Sequence, residues 1–328
     1  MYLVTGATGF IGSAVVRRLL VRNQTVRVLS RANSDHANIR NLKVEIFEGD
    51  LLFPGSIRDA VKGCEGVFHV AADYRLWTRD PSEMFKVNVE GTRSVIEAAT
   101  EASVPRIVYT SSVAVLGNCQ PDLGDEETPV RYEEMIGPYK QSKFLAEEVV
   151  HQLIAERGAP VVIVNPSTPI GPHDIKPTPT GRMIVEAASG NMPAYVDTGL
   201  NIVHVDDVAE GHLLAFEKGI TGARYVLGGD NMGLAEILTI ISEKMGRRPP
   251  AIRIPHQAVM PIAYIAEGWA RLFGGREPFV TVDGVRMARK TMFFSSAKAE
   301  QNLGYTHRPS VDAINEAVSW FFDNGYVT

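Results

Sequence analysis

Six short apolar runs alternate with helical patterns over the first half of the 328-residue chain. The runs are YLVTG, TVRVLSR, VEIFEGD, GVFHVAA, RIVYTSS and VVIVNPS. They are rich in Val and Ile and close to continuously apolar, as strands are when both faces of a parallel sheet are covered. Helical patterns such as IGSAVVRRLLVR and NVEGTRSVIEAATEA lie between them. This alternation predicts an α/β fold built on a doubly wound parallel sheet.

The segment TGATGFIG places Gly6, Gly9 and Gly12 between the first strand and the first helix. Glycine allows a tight turn and a close approach of the backbone to a ligand. The N-terminus of a helix offers free N–H groups and a positive dipole end to a pyrophosphate. The spacing is G-x-x-G-x-x-G rather than G-x-G-x-x-G, but the strand–turn–helix context favours dinucleotide binding. A structural turn without a ligand is the alternative.

The end of the second strand predicts which dinucleotide binds. NAD-binding proteins usually carry an acidic residue there for the ribose hydroxyls, whereas an arginine suits a 2′-phosphate. Here Ser30 and Arg31 occupy that end, and the first acid is Asp35. A guanidinium can bind a phosphate in bidentate fashion, so NADP is favoured over NAD. Asp50, at the end of the third strand, would accept from the adenine amino group or cap the loop.

The alternation of strands and helices becomes irregular after residue 167. There TPIGPHDIKPTPTG is rich in Pro and Gly and predicts a loop. We therefore expect a dinucleotide-binding Rossmann domain over residues 1–167 and a small mixed lobe over 168–328 that mainly binds substrate. NIVHVDDVA, near residue 205, has the pattern of a strand that leads into a helix. It predicts that a segment near 200–230 returns to the first domain.

Composition narrows the class of protein further. A net charge of −5 and the lack of a Lys/Arg-rich block argue against nucleic-acid binding. Cys64 and Cys119 are the only cysteines, so no disulfide framework is expected, and free thiols indicate a reducing, cytoplasmic location. The opening residues, MYLVTGATGF, have the pattern of a strand and a turn rather than of a signal peptide. No residue set has the spacing of a metal site, so none is expected.

No run of about 18 uninterrupted apolar residues is present, so no membrane-spanning helix is expected. The segment HQAVMPIAYIAEGWARLF, residues 256–273, comes nearest, but Pro261, Glu267 and Arg271 interrupt it. It predicts a helix packed on the core. A helix that lies on a membrane surface is the alternative.

Tyr139 and Lys143 are four residues apart in GPYKQSKFLAEEVV, residues 137–150. The apolar spacing after Pro138 predicts a helix, and positions i and i+4 share one helix face. A nearby ammonium favours the phenolate, so the pair predicts a tyrosine whose pKa is lowered toward neutrality for proton transfer. Taken alone, such a pair is more often a coincidence than a catalytic site.

The motifs TGATGFIG, GDL, HVAA, VNVEGT, YTSS and YKQSK occur in the order and spacing of the extended short-chain dehydrogenase/reductases. The sequence resembles that superfamily over essentially its whole length. Within it, the chain is similar to dihydroflavonol-reductase-like proteins. The segments AADYRLWTRDPSEMFKVNVEGT and GPHDIKPTPTGRM most resemble the hopanoid-associated sugar epimerases of bacteria.

The resemblance implies a catalytic set of Ser112, Tyr139 and Lys143. Tyr139 would be the acid/base at a substrate oxygen, and Lys143 would bind the nicotinamide ribose hydroxyls and keep the phenol acidic. Ser112 would hydrogen-bond the substrate oxygen, with Ser111 or Thr110 as the alternative. The residues expected to contact or border the cofactor are Gly6, Thr8, Gly9, Phe10, Ile11, Gly12, Ser30, Arg31, Asp50, Leu51, Ala71, Ala72, Asn88, Thr110, Tyr139, Lys143, Pro166 and Ser167.

The same set serves two reactions. A reductase would move a hydride from NADPH to a keto or sugar-like substrate, and an epimerase would return the hydride to the other face of a keto intermediate. A dehydratase would need further acid/base groups, but Val113 and Ala114 follow Ser112. A non-catalytic NADP sensor would typically lack Tyr139. We expect an NADPH-linked reductase, with a sugar epimerase in hopanoid metabolism as the alternative.

A small-molecule substrate is expected to contact three side chains. Tyr74 and Trp77 follow the fourth strand and could stack on a polar ring, whereas Arg182 could bind an anionic group. A packed loop and a surface arginine are the alternatives. By analogy with extended relatives, a homodimer would form through the helices near 89–103 and 139–157.

Overall fold

The computed structural model describes residues 1–117, 122–273, 278 and 280–327, and Cys119 lies outside the described residues. The strands, in chain order, are β1 Tyr2–Thr5, β2 Val26–Ser30, β3 Glu45–Glu48, β4 Gly66–His69, β5 Ile107–Thr110, β6 Val161–Pro166, β7 Thr168–Ile170, β8 Ala194–Tyr195, β9 Gly199–His204, β10 Arg224–Leu227, β11 Asp230–Gly233 and β12 Ile252–Arg253. The α-helices are α1 Phe10–Val21, α2 Pro54–Ala60, α3 Ser82–Phe85, α4 Gly91–Glu101, α5 Gly137–Arg157, α6 Pro179–Ala188, α7 Val205–Lys218, α8 Leu234–Lys244, α9 His256–Phe273, α10 Val282–Ala288, α11 Ala297–Leu303 and α12 Ser310–Asp323. A π-helical turn, Lys86–Glu90, joins α3 to α4, and 3₁₀ turns cover Val113–Val115 and Tyr132–Glu134.

Seven parallel strands form the central sheet in the order β10-β6-β5-β4-β1-β2-β3. The six runs that the sequence predicts as strands are β1 to β6, so the doubly wound parallel sheet is confirmed. β1 lies between β2 and β4, and the strand order reverses beside it. In such sheets ligands bind outside the carboxyl ends of the strands at this switch point.

Two layers of helices cover the sheet. The core on one face includes Val15 of α1 and Leu213 of α7. The core on the other face includes Ile57 of α2, Ile96 of α4 and Val150 of α5. Strand side chains alternate between the two faces, and the parallel strands therefore supply both cores.

The chain returns to the sheet after β9. α7 packs against α1, where Arg22 forms ion pairs with Glu210 and Glu217. β10 then pairs in parallel with β6 at the edge of the sheet. A division of domains at residue 167 stays a prediction, but α7 and β10 are spatially part of the layers around the central sheet.

The rest of the C-terminal half forms its own core. α6, α8 and α12 pack on the three-stranded sheet β11-β9-β7 around Ile184, Ile241 and Phe321. α9 and α10 form a pair, in which the Glu267 carboxylate accepts the Val282 N–H at 2.6 Å. Within the described residues, no helix is both long and apolar enough to cross a membrane.

Candidate active site

The turn after β1 has a shape that requires glycine. Gly6 has a φ of +70°, and a Cβ there would lie 2.6 Å from the backbone of Ala71. A Cβ on Gly12 would lie 2.2 Å from the carbonyl oxygen of Gly6, which also accepts the Gly9 N–H at 2.9 Å. The result is a concave backbone at the N-terminus of α1, where free N–H groups and the helix dipole favour a pyrophosphate. These residues therefore fit a dinucleotide.

The other residues of the turn are held by the protein. Phe10 is buried and Ile11 packs against the same core, so they offer a cofactor the free N–H groups of the first helical turn. The carbonyl of Thr8 accepts from the side-chain amide of Asn38 at 3.1 Å. Asn38 thus fixes the turn from the loop after β2, a contact that the sequence does not predict.

Arg31 directly follows β2 and lines an open cleft of about 820 Å³ together with Asp50. Among the described residues, its guanidinium makes no hydrogen bond or ion pair. Ser30 is engaged, because its hydroxyl lies 2.8 Å from Nε2 of His36. The Asp50 carboxylate accepts the Leu52 N–H at 2.9 Å and so caps the loop, which was one of its two expected roles.

Ala71 and Ala72 directly follow β4, and Ala71 lies against the glycine turn. The Ala71 N–H donates to the hydroxyl of Thr5 at 3.3 Å. Leu51 packs beneath the start of α4, where a Cβ on Gly91 would lie 3.1 Å from it. Small side chains after β4 keep the space outside the carboxyl edge of the sheet open at the switch point.

Asn88 is buried in the π-helical turn, a type of turn that is frequent at functional sites. Its amide nitrogen donates to the carbonyl of Asp73 and to the hydroxyl of Ser142, each at 2.9 Å. Its amide oxygen accepts the Asp73 N–H at 2.7 Å. Asn88 therefore ties the loop after β4 to α5.

Tyr139 lies in the first turn of α5, which begins at Gly137 and continues to Arg157, as the sequence predicts. Gly137 has a φ of +83°, and Pro138 occupies the first turn, where a missing N–H costs no hydrogen bond. Ser112 lies just beyond β5, and its hydroxyl accepts the Ala114 N–H at 3.1 Å. The same hydroxyl also lies close enough to the phenol of Tyr139 to lower the pKa of that phenol. The structure therefore brings these two hydroxyl groups together.

Lys143 lies one helical turn after Tyr139 and is buried. Its ammonium donates to the hydroxyl of Tyr109 at 3.1 Å and to the carbonyl of Thr110 at 2.7 Å. Burial lowers the pKa of Lys143 to about 8, although the charge of Glu147 opposes the shift. Two of the three ammonium donors are used in these contacts, which leaves the third for a ligand.

The pKa of Tyr139 corrects one expectation. Burial raises the pKa of the phenol, and the nearby Ser112 hydroxyl opposes this only in part. Lys143 does not lower that pKa, because its ammonium is directed at Tyr109 and Thr110. At neutral pH Tyr139 is therefore a protonated phenol, suited to donate a proton.

A row of buried polar side chains lies beneath Lys143. The register of the sheet places Thr5, His69 and Tyr109 side by side on β1, β4 and β5. The ring nitrogens of His69 lie 2.7 Å from the Thr5 hydroxyl and 3.0 Å from the Thr92 hydroxyl. Burial, and then the charge of Lys143, lower the pKa of His69 to about 3, so the ring is neutral. Sequence reasoning missed this row, because only the register brings its members together.

A second buried network surrounds Glu147, four residues after Lys143. Its carboxylate accepts from Asn165 at 3.2 Å and from Arg224 at 3.3 Å. Asn165 also donates to the carbonyl of Ser112 at 3.1 Å. Burial would raise the pKa of Glu147, but hydrogen bonding from neighbouring side chains and the charge of Arg224 outweigh it and lower that pKa. The i+4 spacing from Lys143 was a signal that could have revealed this residue.

The alternatives to Ser112 are directed elsewhere. The hydroxyl of Thr110 lies 2.9 Å from Nε2 of His212, and Ser111 is buried in the interior. Pro166 ends β6, and the Ser167 N–H donates to a carbonyl of β10 at 3.1 Å. The buried hydroxyl of Ser167 has no hydrogen-bond partner within the described part of the chain.

The residues expected to contact substrate come from both halves of the chain. Tyr74, in the loop after β4, is exposed, and Arg182 is exposed on α6. Although Tyr74 is 40% exposed, partial burial and then the charge of Asp174 raise its pKa, whereas Arg182 lowers it. Tyr74 and Arg182 thus lie near the same carboxylate. The indole N–H of Trp77 is buried and has no partner among the described residues.

Asp174 is the buried carboxylate of this group. It accepts both the N–H and the hydroxyl of Thr178 at 2.9 Å. Burial raises its pKa to about 6, and these hydrogen bonds and Arg182 offset the shift only in part. An acid that titrates near neutrality therefore lies beside the exposed side chains that were expected to contact substrate.

Known proteins resemble this chain in sequence and in fold. The model of the NAD dependent epimerase/dehydratase family matches residues 2–228. A putative dihydroflavonol 4-reductase of Synechocystis sp. is 43% identical over 331 residues, which cover 99% of this chain and 96% of that protein. The crystal structure of gox2253 is 52% identical with a TM-score of 0.90, covering 100% of this chain and 99% of that one. The crystal structure of a nucleoside-diphosphate-sugar epimerase from Pseudomonas aeruginosa is 27% identical with a TM-score of 0.81, covering 100% and 99%.

The family match spans more than half of the chain, and the resemblance to extended, dihydroflavonol-reductase-like dehydrogenase/reductases is confirmed. The family binds NAD(P), in agreement with the glycine turn. The chain therefore belongs to the NAD-dependent epimerase/dehydratase family and is an NAD(P)-dependent enzyme of the reductase or epimerase type.

Proposed function

We propose that the protein is an NADPH-dependent reductase that converts the carbonyl group of a small keto or sugar-like compound to an alcohol. The observation that carries this proposal is the position of the Ser112 hydroxyl near the buried phenol of Tyr139, whose pKa burial raises. A protonated phenol donates a proton and does not abstract one, so the pair favours reduction.

A nicotinamide cofactor held at this edge would supply the hydride that the carbonyl carbon accepts. Ser112 and Tyr139 bind the carbonyl oxygen through their hydroxyl groups. As negative charge develops on that oxygen, Tyr139 donates its proton to it, so the product is a neutral alcohol and the phenolate is reprotonated from solvent. Ser112 keeps its orientation because its own oxygen accepts the Ala114 N–H at 3.1 Å.

Lys143 positions the cofactor in this proposal. The third donor of its ammonium binds the ribose hydroxyls next to the nicotinamide, while Tyr109 and Thr110 hold the other two. Asn88 keeps the loop after β4 in place against α5. Tyr74, Trp77 and Arg182 bind the rest of the substrate.

The preference for NADPH rests on Arg31. Its guanidinium is exposed at the end of β2 and has no anionic partner among the described residues. It is therefore available for bidentate hydrogen bonds to a 2′-phosphate. No acid follows β2 directly to bind the 2′-hydroxyl of NAD, since the next residues are Ala32 and Asn33.

A sugar epimerase that recycles a bound cofactor, within hopanoid metabolism, is the second candidate. The likeness to the nucleoside-diphosphate-sugar epimerase from P. aeruginosa, with a TM-score of 0.81, favours it. A reductase consumes one NADPH for each product molecule, whereas an epimerase converts substrate without net consumption. Absorbance at the NADPH band, recorded beside product formation with a panel of ketones and keto sugars, separates the two.

The Tyr139→Phe substitution tests the catalytic assignment. We expect turnover to fall by about 100-fold or more, as loss of a general acid does, while NADPH still binds. The control is Tyr132→Phe, a tyrosine whose ring packs against Phe144. Unchanged turnover in Tyr139→Phe would overturn the catalytic role, and a wild-type protein that binds NADPH but turns over no substrate would support a sensor instead.

The Arg31→Ala substitution tests cofactor choice. We expect the Kd for NADPH to rise by about 10- to 100-fold, the worth of charged hydrogen bonds, and the Kd for NADH to stay unchanged. Arg40→Ala removes another exposed arginine of the same segment and is the control. A wild-type enzyme that binds NADH more tightly than NADPH would contradict the preference.

A further inference from the structure

Helix α9 presents its large apolar side chains to the outside. Ala263 and Ala270 are buried against the protein at 0% and 5% exposure. Ile262, Ile265 and Trp269 remain exposed at 59%, 72% and 66%. A helix packed on a core buries its large side chains and exposes polar ones. α9 packs on the protein through one side only, which includes Val259, Met260 and Ala263. The expected packing of this segment on the core is therefore wrong for Ile262, Ile265 and Trp269.

The exposed side chains form one stripe. Ile262, Ile265 and Trp269 follow each other at spacings of three and four residues, so they share a helix face. Tyr264, also exposed, lies next to that stripe with its hydroxyl 3.5 Å from a guanidinium nitrogen of Arg286. Ile and Trp on the apolar side with Tyr and Arg at the border are the composition of helices that lie in a membrane interface.

Basic residues are concentrated around this helix. Residues 244–290 contain nine Lys or Arg and three Asp or Glu, although the whole chain contains 33 and 38. Arg286, Arg289 and Lys290, on and after α10, are exposed beside α9. An acidic protein thus has a basic stretch of sequence that contains its exposed apolar helix, and three of the basic side chains are exposed on and after α10.

We propose that α9 binds the surface of an anionic phospholipid bilayer. Ile262, Ile265 and Trp269 would enter the boundary between headgroups and acyl chains, and the surrounding Arg and Lys side chains would bind lipid phosphates. A second copy of the chain is a poorer occupant of the same face, because pairing two such surfaces would bring basic residues together.

The helix is also tied to the candidate active site. A guanidinium nitrogen of Arg79 donates to the carbonyl of Ala270 at 2.9 Å. Arg79 lies in the loop after β4, which also carries Tyr74 and Trp77. Binding at α9 would therefore place the loop expected to contact substrate close to the bilayer.

Vesicle co-sedimentation tests the proposal with the full chain. Vesicles of phosphatidylcholine alone are compared with vesicles that contain one quarter phosphatidylglycerol. We expect the protein to bind the anionic vesicles and to bind the neutral ones little. Raising NaCl from 0.1 M to 0.5 M should lower binding to the anionic vesicles by at least about tenfold, because salt screens exposed charges. The Ile265→Glu substitution should reduce binding by at least about tenfold, since it places a charge in the stripe.

The matched control is Ile220→Glu, which changes another exposed isoleucine outside α9. It should bind vesicles as the wild type does, and both variants should keep the wild-type Tm and NADPH affinity. Lack of wild-type binding to anionic vesicles, or equal binding by Ile265→Glu, overturns the proposal. It is also overturned if sedimentation velocity shows a dimer that Ile265→Glu dissociates, because a second copy would then cover the face.

Discussion

The carboxyl edge of the sheet and the surface across from it, to which the loop after β4 and helix α6 contribute, are built differently. At the sheet edge, Asn88, His69 and Lys143 are buried, and each is held by at least two hydrogen bonds. On the facing side, Tyr74 and Arg182 are exposed. A rigid scaffold holds reactive groups in place, whereas exposed side chains on loops can change without loss of the fold. Under the proposed function, the hydride chemistry would be fixed at the edge and substrate choice would be made by the exposed side chains.

Burial also has opposite consequences in the two regions. At the edge it lowers the pKa of His69 to about 3 and that of His212 to about 4, so both rings are neutral. Across from it, burial raises the pKa of Asp174 to about 6. A histidine whose pKa is lower in the folded than in the unfolded state makes the folded protein less stable as the pH falls. An acid whose pKa is higher in the folded state makes the folded protein less stable as the pH rises. The two regions should therefore respond to pH in opposite directions.

The largest effect is expected from the Gly12→Val substitution at the edge. A Cβ at this position would lie 2.2 Å from the carbonyl oxygen of Gly6, so the turn must move. We expect the Kd for NADPH, measured by calorimetry, to rise by about 100-fold, or roughly 2.7 kcal/mol. Gly12→Ala is the milder variant should the valine prevent folding.

Gly233→Ala is the control for the glycine substitutions, because a Cβ there meets nothing within 4 Å. It should leave NADPH affinity unchanged. If Gly12→Val and Gly12→Ala bind NADPH as the wild type does, the glycine turn is not the pyrophosphate site.

A smaller effect is expected from Lys143, with a dependence on pH. Its pKa of about 8 means that the ammonium loses its proton as the pH rises through 8, so kcat/KM should fall above that pH. Lys143→Met should lower kcat/KM by about 10- to 100-fold at pH 7, the worth of a charged hydrogen bond. Lys143→Arg should retain part of the activity and move the fall to a higher pH, because arginine stays charged.

Lys140 must be separated from Lys143, because burial and then the charge of Lys290 lower its pKa to about 8 as well. Lys140→Gln should leave the fall in kcat/KM above pH 8 in place. If it removes the fall and Lys143→Arg does not move it, the titrating group is Lys140.

Whether the sequence predicts a feature of this edge depends on how far apart along the chain the residues that form it lie. Tyr139 and Lys143 are related by helical spacing, and the glycine turn by its position after a strand, so both are predictable. The row of Thr5, His69 and Tyr109 depends on the register of three strands. Local spacing carries no information about such a register, and neither does it show that Lys143 turns toward Tyr109.

The same limit explains the error at α9. Periodicity shows that Ile262, Ile265 and Trp269 share a helix face. Which way that face points depends on what the helix packs against, and α10 contacts the side of α9 that carries Val259, Met260 and Ala263 instead. Apolar periodicity thus indicates a face but not its environment.

The Asn88→Ala substitution should have a moderate effect on stability. It leaves the N–H and carbonyl of Asp73 and the hydroxyl of Ser142 without their partner. Unsatisfied buried groups cost about 1–3 kcal/mol, which urea unfolding can measure. Asn191→Ala, which removes an exposed amide that bonds Glu186, is the control. Equal loss in both variants would show that Asn88 has no special role in holding the loop.

The last effect is expected across from the edge, at Asp174, and it appears only as a dependence of stability on pH. Since its pKa is about 6 in the folded protein and lower when unfolded, the folded state binds more protons between pH 4 and pH 6. The contribution of Asp174 to the free energy of unfolding of the wild type therefore falls as the pH rises through that window, by at most about 1.4 kcal/mol per pH unit. Asp174→Asn lacks the titration, so its stability relative to the wild type should increase from pH 4 to pH 6.5. Urea unfolding at several pH values measures this difference, and the exposed Asp323→Asn is the control. A difference in stability that stays constant with pH would mean that Asp174 does not titrate in this range.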